Sequence, residues 1–94
     1  MKLRYTLAAL NDLADIERYQ SQFWPGAKAG FGEKLGVIER QAMNFPYSAP
    51  AILQQPDIRV ISFVAYPYRL FYRVADDEIE VLAVRHTSRK PPYM

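Results

Sequence analysis

Apolar residues recur at intervals of three and four between positions 8 and 23, and the same spacing resumes after a Trp24-Pro25-Gly26 break and runs on to position 43. Nothing else in the chain limits its fold as strongly. The first run sets Leu10, Leu13, Ile16, Tyr19 and Phe23 in one stripe against a polar face of Asp12, Asp15, Arg18 and Gln22, the pattern of an amphipathic helix. The second, over 25–43, stripes Phe31, Leu35, Ile38 and Ala42. Proline is tolerated in the first turn of a helix but not in its interior, so Pro25 separates two helices. Two helices joined by so short a link form an antiparallel hairpin, and its shared apolar side must lie on another layer.

That layer is expected to be a sheet. Residues 2–6 alternate, with Leu3 and Tyr5 against Lys2 and Arg4, as a short strand does. A loop is expected over 44–57, where Pro46, Pro50 and Pro56 argue against a regular ladder. Further strands follow over 58–64, 68–74 and 79–86. The strand over 68–74 places Tyr68, Leu70, Tyr72 and Val74 on one face and Arg69, Phe71 and Arg73 on the other. The resulting order is β-α-α-β-β-β: an α+β fold, one domain over 1–94, with the helical hairpin packed on a small, mostly antiparallel sheet. Tyr19 and Tyr72 fit the core stripes, and Trp24 fits a plug between the helices.

A chain of 94 residues can bury roughly 60 to 65% of its unfolded surface, which suits one unstapled domain and leaves no room for a second. With no cysteine and a single histidine, disulfides and thiolate zinc sites are excluded, and neither a metal nor a cofactor is expected. The short apolar patch near the start is interrupted by Asn11, Asp12 and Asp15, so it reads as neither a signal peptide nor a membrane span; a cytoplasmic, membrane-free protein is expected. The net charge of +2 is too small to argue for nucleic acid, but its distribution is uneven. Residues 1–57 carry six basic and six acidic side chains. Residues 58–94 carry Arg59, Arg69, Arg73, Arg85, Arg89 and Lys90 against Asp76, Asp77, Glu78 and Glu80, and those four acids crowd into five positions. The rest of the C-terminal surface is therefore basic.

Arg69 and Arg73 point to one side of their strand, and a guanidinium fork suits phosphate, although arginine is equally ordinary on a solvated sheet face. His86, at a strand end, can move a proton near neutral pH, although a lone histidine there is commonly structural. Arg89, Lys90 and Tyr93 form a basic, aromatic tail held extended by Pro91 and Pro92, able to contact phosphate and stack on a base. No nucleophile elbow and no glycine-rich phosphate loop occur in the sequence.

Two stretches, ALNDLADIERYQSQFWPGAKAGFGEKL and YPYRLFYRVADDEIEVLAVRHTSR, together resemble the ParE and RelE toxins of type II toxin–antitoxin systems over nearly the whole chain. The first is similar to the ParE-type hairpin, a D-L-x-x-I-x-x-Y stripe followed by an aromatic break. The second is similar to the family's third and fourth strands around an acidic turn, closing on a His-x-x-Arg ending made here by His86 and Arg89. The resemblance implies a toxin silenced by a cognate antitoxin whose C-terminal segment wraps it. RelE-like members cut messenger RNA on the ribosome, and by that resemblance Arg69 and Arg89 would hold the phosphate while His86 or Tyr93 moves the proton. Where those nucleases carry lysines on the second strand, this chain has Val60 and Ser62, which removes positive charge that a pentacovalent phosphate requires. ParE-like members poison DNA gyrase without a catalytic site, and the hairpin is of their type. The favoured expectation is a gyrase-binding toxin that meets its target through Arg59, Arg73, Arg85, Arg89 and Lys90. The alternatives are a ribosome-dependent endoribonuclease and an inactive scaffold that only binds its antitoxin.

Overall fold

In the computed structural model, whose described residues are 1–88, the chain runs through β1 (Lys2–Tyr5), α1 (Leu7–Phe23), a 3-10 turn (Pro25–Ala27) and α2 (Lys28–Asn44). It then forms β2 (Ala51–Ile52), β3 (Gln55–Ser62), β4 (Tyr68–Ala75) and β5 (Glu78–His86). The switch from strand to helix falls at Thr6, whose hydroxyl accepts the Ala9 N–H at 3.1 Å as an N-cap. At the other end, the Trp24 N–H donates to the Gln20 carbonyl at 2.8 Å, and Pro25 opens the 3-10 turn where its missing donor is harmless.

The five strands lie in the order β1-β5-β4-β3-β2; β1 pairs with β5 in parallel and every other pair is antiparallel. The β4–β5 hairpin turns on Asp76 and Asp77, whose φ angles of 54° and 60° are the left-handed pair that a tight two-residue turn matches to strand twist. Phe71 faces Ala83 whereas Tyr72 faces Val81, so Leu82 is an extra residue, a bulge in β5. The irregular stretch expected over 44–57 is shorter than its prolines suggested, because β2 and the start of β3 fall within it. Pro56 is accommodated because the β2–β3 register shifts between Ala51↔Arg59 and Ile52↔Gln55, where no regular ladder bond needs its N–H.

Both helices cover one face of the sheet. Ile16, Phe31, Ile38 and Ala42 pack with Leu70, Tyr72, Ile79, Val81 and Val84 in the main core. Phe31 stacks on Phe63 with centroids 4.9 Å apart and meets Tyr66 and Tyr68 edge-on. Buried Tyr72 donates its hydroxyl to the Pro46 carbonyl at 2.7 Å. The opposite face is not bare, since Phe71, Leu82 and Ala83 form a second apolar cluster with Ile52 and Ile58.

Three residues expected in the helix stripe are outside the core. Leu10 is 50% and Tyr19 54% exposed, and Phe23 is exposed beside Tyr19, their rings 5.1 Å apart. The buried line of α1 is Ala9, Ile16 and Gln20, and at about 100° per residue Leu10 lies well round the helix from it. Trp24 leans on Tyr66, with centroids 5.7 Å apart, instead of plugging the seam between the helices. That seam keeps an open cavity of about 250 Å³ beside Gln20 and Phe31, with Leu13 and Leu35 at its margin.

On the outer face Glu80 is buried between two arginines, accepting from Arg73 at 2.7 Å and from Arg4, which also reaches Glu78 at 3.1 Å. The hydrogen bond from Arg73, aided by the charges of Arg73 and Arg4, holds the Glu80 carboxyl below its ordinary pKa of 4.5 although burial pushes the other way.

Ile38→Ala, at a site 1% exposed, should cost about 2 to 5 kcal/mol, whereas Leu10→Ala should stay within about 0.5 kcal/mol; equal losses in a denaturant melt would misplace the helix face. Because the Glu80 pKa is depressed in the folded state, its contribution is complete above the ordinary value of 4.5 and disappears as the pH falls through the lower folded value. Glu80→Gln should therefore lower stability at neutral pH by about 1 to 3 kcal/mol and flatten the acid limb of the stability curve; an unchanged acid limb contradicts the network's role.

Candidate functional site

At the far end of the β3–β4–β5 ladder, Ser62 faces Arg69 and Arg69 faces Arg85, so two guanidinium side chains start from adjacent strands on the outer face. Like charges placed directly opposite repel. Arg69, half-buried, has no hydrogen bond or ion pair among the described residues. Arg85 carries its guanidinium round the free edge of β5 to α1, where Nε lies 3.4 Å from Asp12 Oδ2 without the alignment of a hydrogen bond. The same Asp12 oxygen accepts the Val84 N–H at 3.0 Å.

His86 faces Tyr68, and Tyr68 belongs to the main core, so the imidazole starts from the helix-covered face. The two rings meet edge-on with centroids 5.5 Å apart. The Leu82 bulge decides this. Strict alternation from Val81 would have put His86 on the face of Arg69, and one extra residue moves it across. The Ser88 N–H donates to His86 Nδ1 at 3.1 Å, and a backbone N–H can only donate; in the neutral ring the proton therefore sits on Nε2. The Ser88 hydroxyl also lies 2.8 Å from Nδ1.

Between α1 and the end of β5 lies an open groove of about 460 Å³. Ile16 and Val84 give it an apolar floor, Asp12 and Asp15 line the helical side, and Tyr19, Tyr68 and His86 supply aromatic walls. Burial, followed by the neighbouring Tyr19 hydroxyl, pushes the Tyr68 phenol up from its ordinary range.

The remaining candidates are scattered. Arg59 donates to the Tyr47 and Ala49 carbonyls at 3.0 and 2.7 Å and lies over the Tyr47 ring. Arg73 is bound to Glu80. Arg89, Lys90 and Tyr93 lie outside the described residues. The structure thus brings together Arg69 with Arg85, and Arg85 with His86, but sets Arg69 and His86 on opposite faces. Tyr68, Asp12 and Asp15 were not singled out by the sequence. Their common signal is that Asp12, Ile16 and Tyr19, at intervals of four and three, share a helix flank that reaches the strand carrying His86. Among the described residues no group of three His, Cys, Asp or Glu side chains is placed to hold a metal ion, and no helix is long and apolar enough to cross a membrane.

No curated protein matches the sequence significantly. Among solved structures, the fold is similar to that of the chromosomal ParDE toxin–antitoxin system from P. aeruginosa, with a TM-score of 0.74 and 20% identity over 92% of this chain and 95% of that one. It is also similar to a YoeB/ParE toxin from Agrobacterium tumefaciens, with a TM-score of 0.65 and 22% identity over 92% and 98% of the two chains. The isolated E. coli RelE toxin gives a TM-score of 0.57 at 22% identity, over 98% of this chain and 89% of that chain. A family model described as the ParE toxin of the type II toxin–antitoxin system parDE matches residues 3–91, and with nearly its whole length accounted for, the chain belongs to that family.

Proposed function

We propose that this toxin acts in the cytoplasm by binding DNA gyrase, and not by cleaving messenger RNA on the ribosome. Membership of the ParDE family implies a cognate antitoxin. The observation that carries the choice between targets is the separation of Arg69 from His86 by the thickness of the sheet. Phosphodiester cleavage needs a cation on the phosphate and a proton-transfer group within reach of the same phosphate. Starting from opposite faces, Arg69 and His86 are poorly placed to serve one phosphate, which supports the binding reading. The tautomer points the same way, because Nδ1, the basic nitrogen of the neutral ring, is turned to Ser88.

A binding toxin needs only a presented surface. Arg69 supplies its charge among the described residues, the Arg85 guanidinium being turned to Asp12, and Arg89 and Lys90 follow in the sequence. Arg73 joins that surface from the margin, held by Glu80, whereas Arg59, paired with Tyr72, starts from the helix-covered face and is held by the Tyr47 loop.

Purified toxin should inhibit gyrase supercoiling and leave ribosome-bound messenger intact. Arg69→Ala should weaken that inhibition while leaving stability unchanged within about 0.5 kcal/mol. Ribosome-dependent cleavage of messenger that disappears in Arg69→Ala would overturn the proposal.

A further inference from the structure

Tyr68 is 6% exposed, yet its hydroxyl has no hydrogen-bond partner among the described residues. A tyrosine hydroxyl set so deeply normally finds one. It is not among the polar atoms sealed from solvent, and the residue lines the groove between α1 and β5, so the hydroxyl opens into that groove. The raised phenol stays protonated there, able both to donate and to accept.

The charge of the groove is lopsided. Asp12 is engaged by the Val84 N–H and by Arg85. Asp15 has Arg18 at 2.5 Å, but the two side chains are 72% and 70% exposed, so water screens the pair and it is exchanged easily. Arg18 does not line the groove, so its lining sets two carboxylates against one guanidinium beside an imidazole, which disfavours an anionic guest. The exposed Tyr19 ring offers a face to a cation, and Ile16 and Val84 offer an apolar floor to a hydrocarbon stem.

We propose that this groove receives an arginine side chain presented by a partner protein, with the guanidinium against the Tyr19 ring and hydrogen-bonded to Asp15 and the Tyr68 hydroxyl. Arginine suits it better than lysine, because a planar, weakly hydrated fork can stack and donate to two acceptors at once. The presenting molecule is a protein, since the groove is open and is bordered beyond Tyr19 by the exposed Phe23 ring tilted against it, an apolar margin for the residues that flank the arginine. This site does not depend on whether gyrase is the toxin's target.

The test is an NMR titration of the full chain with N-acetyl-arginine amide, alongside the norleucine and glutamate counterparts and guanosine monophosphate. Saturable shifts at Tyr68, Val84 and His86 are expected with the arginine derivative and not with the others. Tyr68→Phe and Asp15→Asn, which keep the apolar packing and should leave other signals in place, should each weaken binding roughly fivefold, the loss of one hydrogen bond of about 1 kcal/mol. The proposal fails if the arginine derivative moves nothing, if the glutamate derivative or the nucleotide moves those signals instead, or if both variants bind as the parent does.

Discussion

Strand β1 ends at Tyr5, opposite Val81, while β5 continues to His86, so the second half of β5, paired with β4 on one side, has no strand on its other edge. A buried amide left without a partner costs about 1 to 3 kcal/mol, and here α1 supplies the partners. Thr6 donates its N–H to the Val81 carbonyl and its hydroxyl to Leu82, and the Asp12 carboxylate accepts the Val84 N–H at 3.0 Å. Asp12 stands where the carbonyl of a neighbouring strand would stand. Helix α1 is thereby fixed along the line that β1 abandoned, and it cannot slide without orphaning Val84. The groove, the swing of Arg85 round the sheet edge, and the facing of Asp15 and Tyr19 toward Tyr68 all follow from that attachment.

The same economy of partners sorts the basic residues. Along one row of the sheet Arg4, Glu80 and Arg73 lie on β1, β5 and β4, and alternating charge makes that row self-satisfying. At the far end Arg69 and Arg85 oppose each other without an acid between them. Arg85 relieves the opposition by turning to Asp12, which leaves Arg69 as the cation of that face, and the second apolar cluster around Phe71 and Leu82 gives the face a firm base.

The hairpin, the order of the main elements along the chain and the two faces of β4 were legible in the sequence because periodicity is local and each element reports its own pattern. The rotation of α1 was not. Leu10, Leu13 and Tyr19 are all apolar, and what selects the buried third of the helix is the bond from Asp12 to Val84, residues 72 positions apart. Nor could the face of His86 be read, since the Leu82 bulge reverses the parity of everything after it while leaving no mark on composition. The β2–β3 pairing was hidden by Pro50 and Pro56, whose missing donors matter only where a ladder asks for them.

The account rests on Asp12 as the group that closes the β5 edge and fixes the site, and amide hydrogen exchange at Val84 tests it most directly. In the parent chain the Val84 amide should exchange slowly. In Asp12→Ala it should exchange much faster, while the Leu70 and Tyr72 amides on the neighbouring strand keep their protection. Unchanged slow exchange at Val84 in the variant would contradict the account.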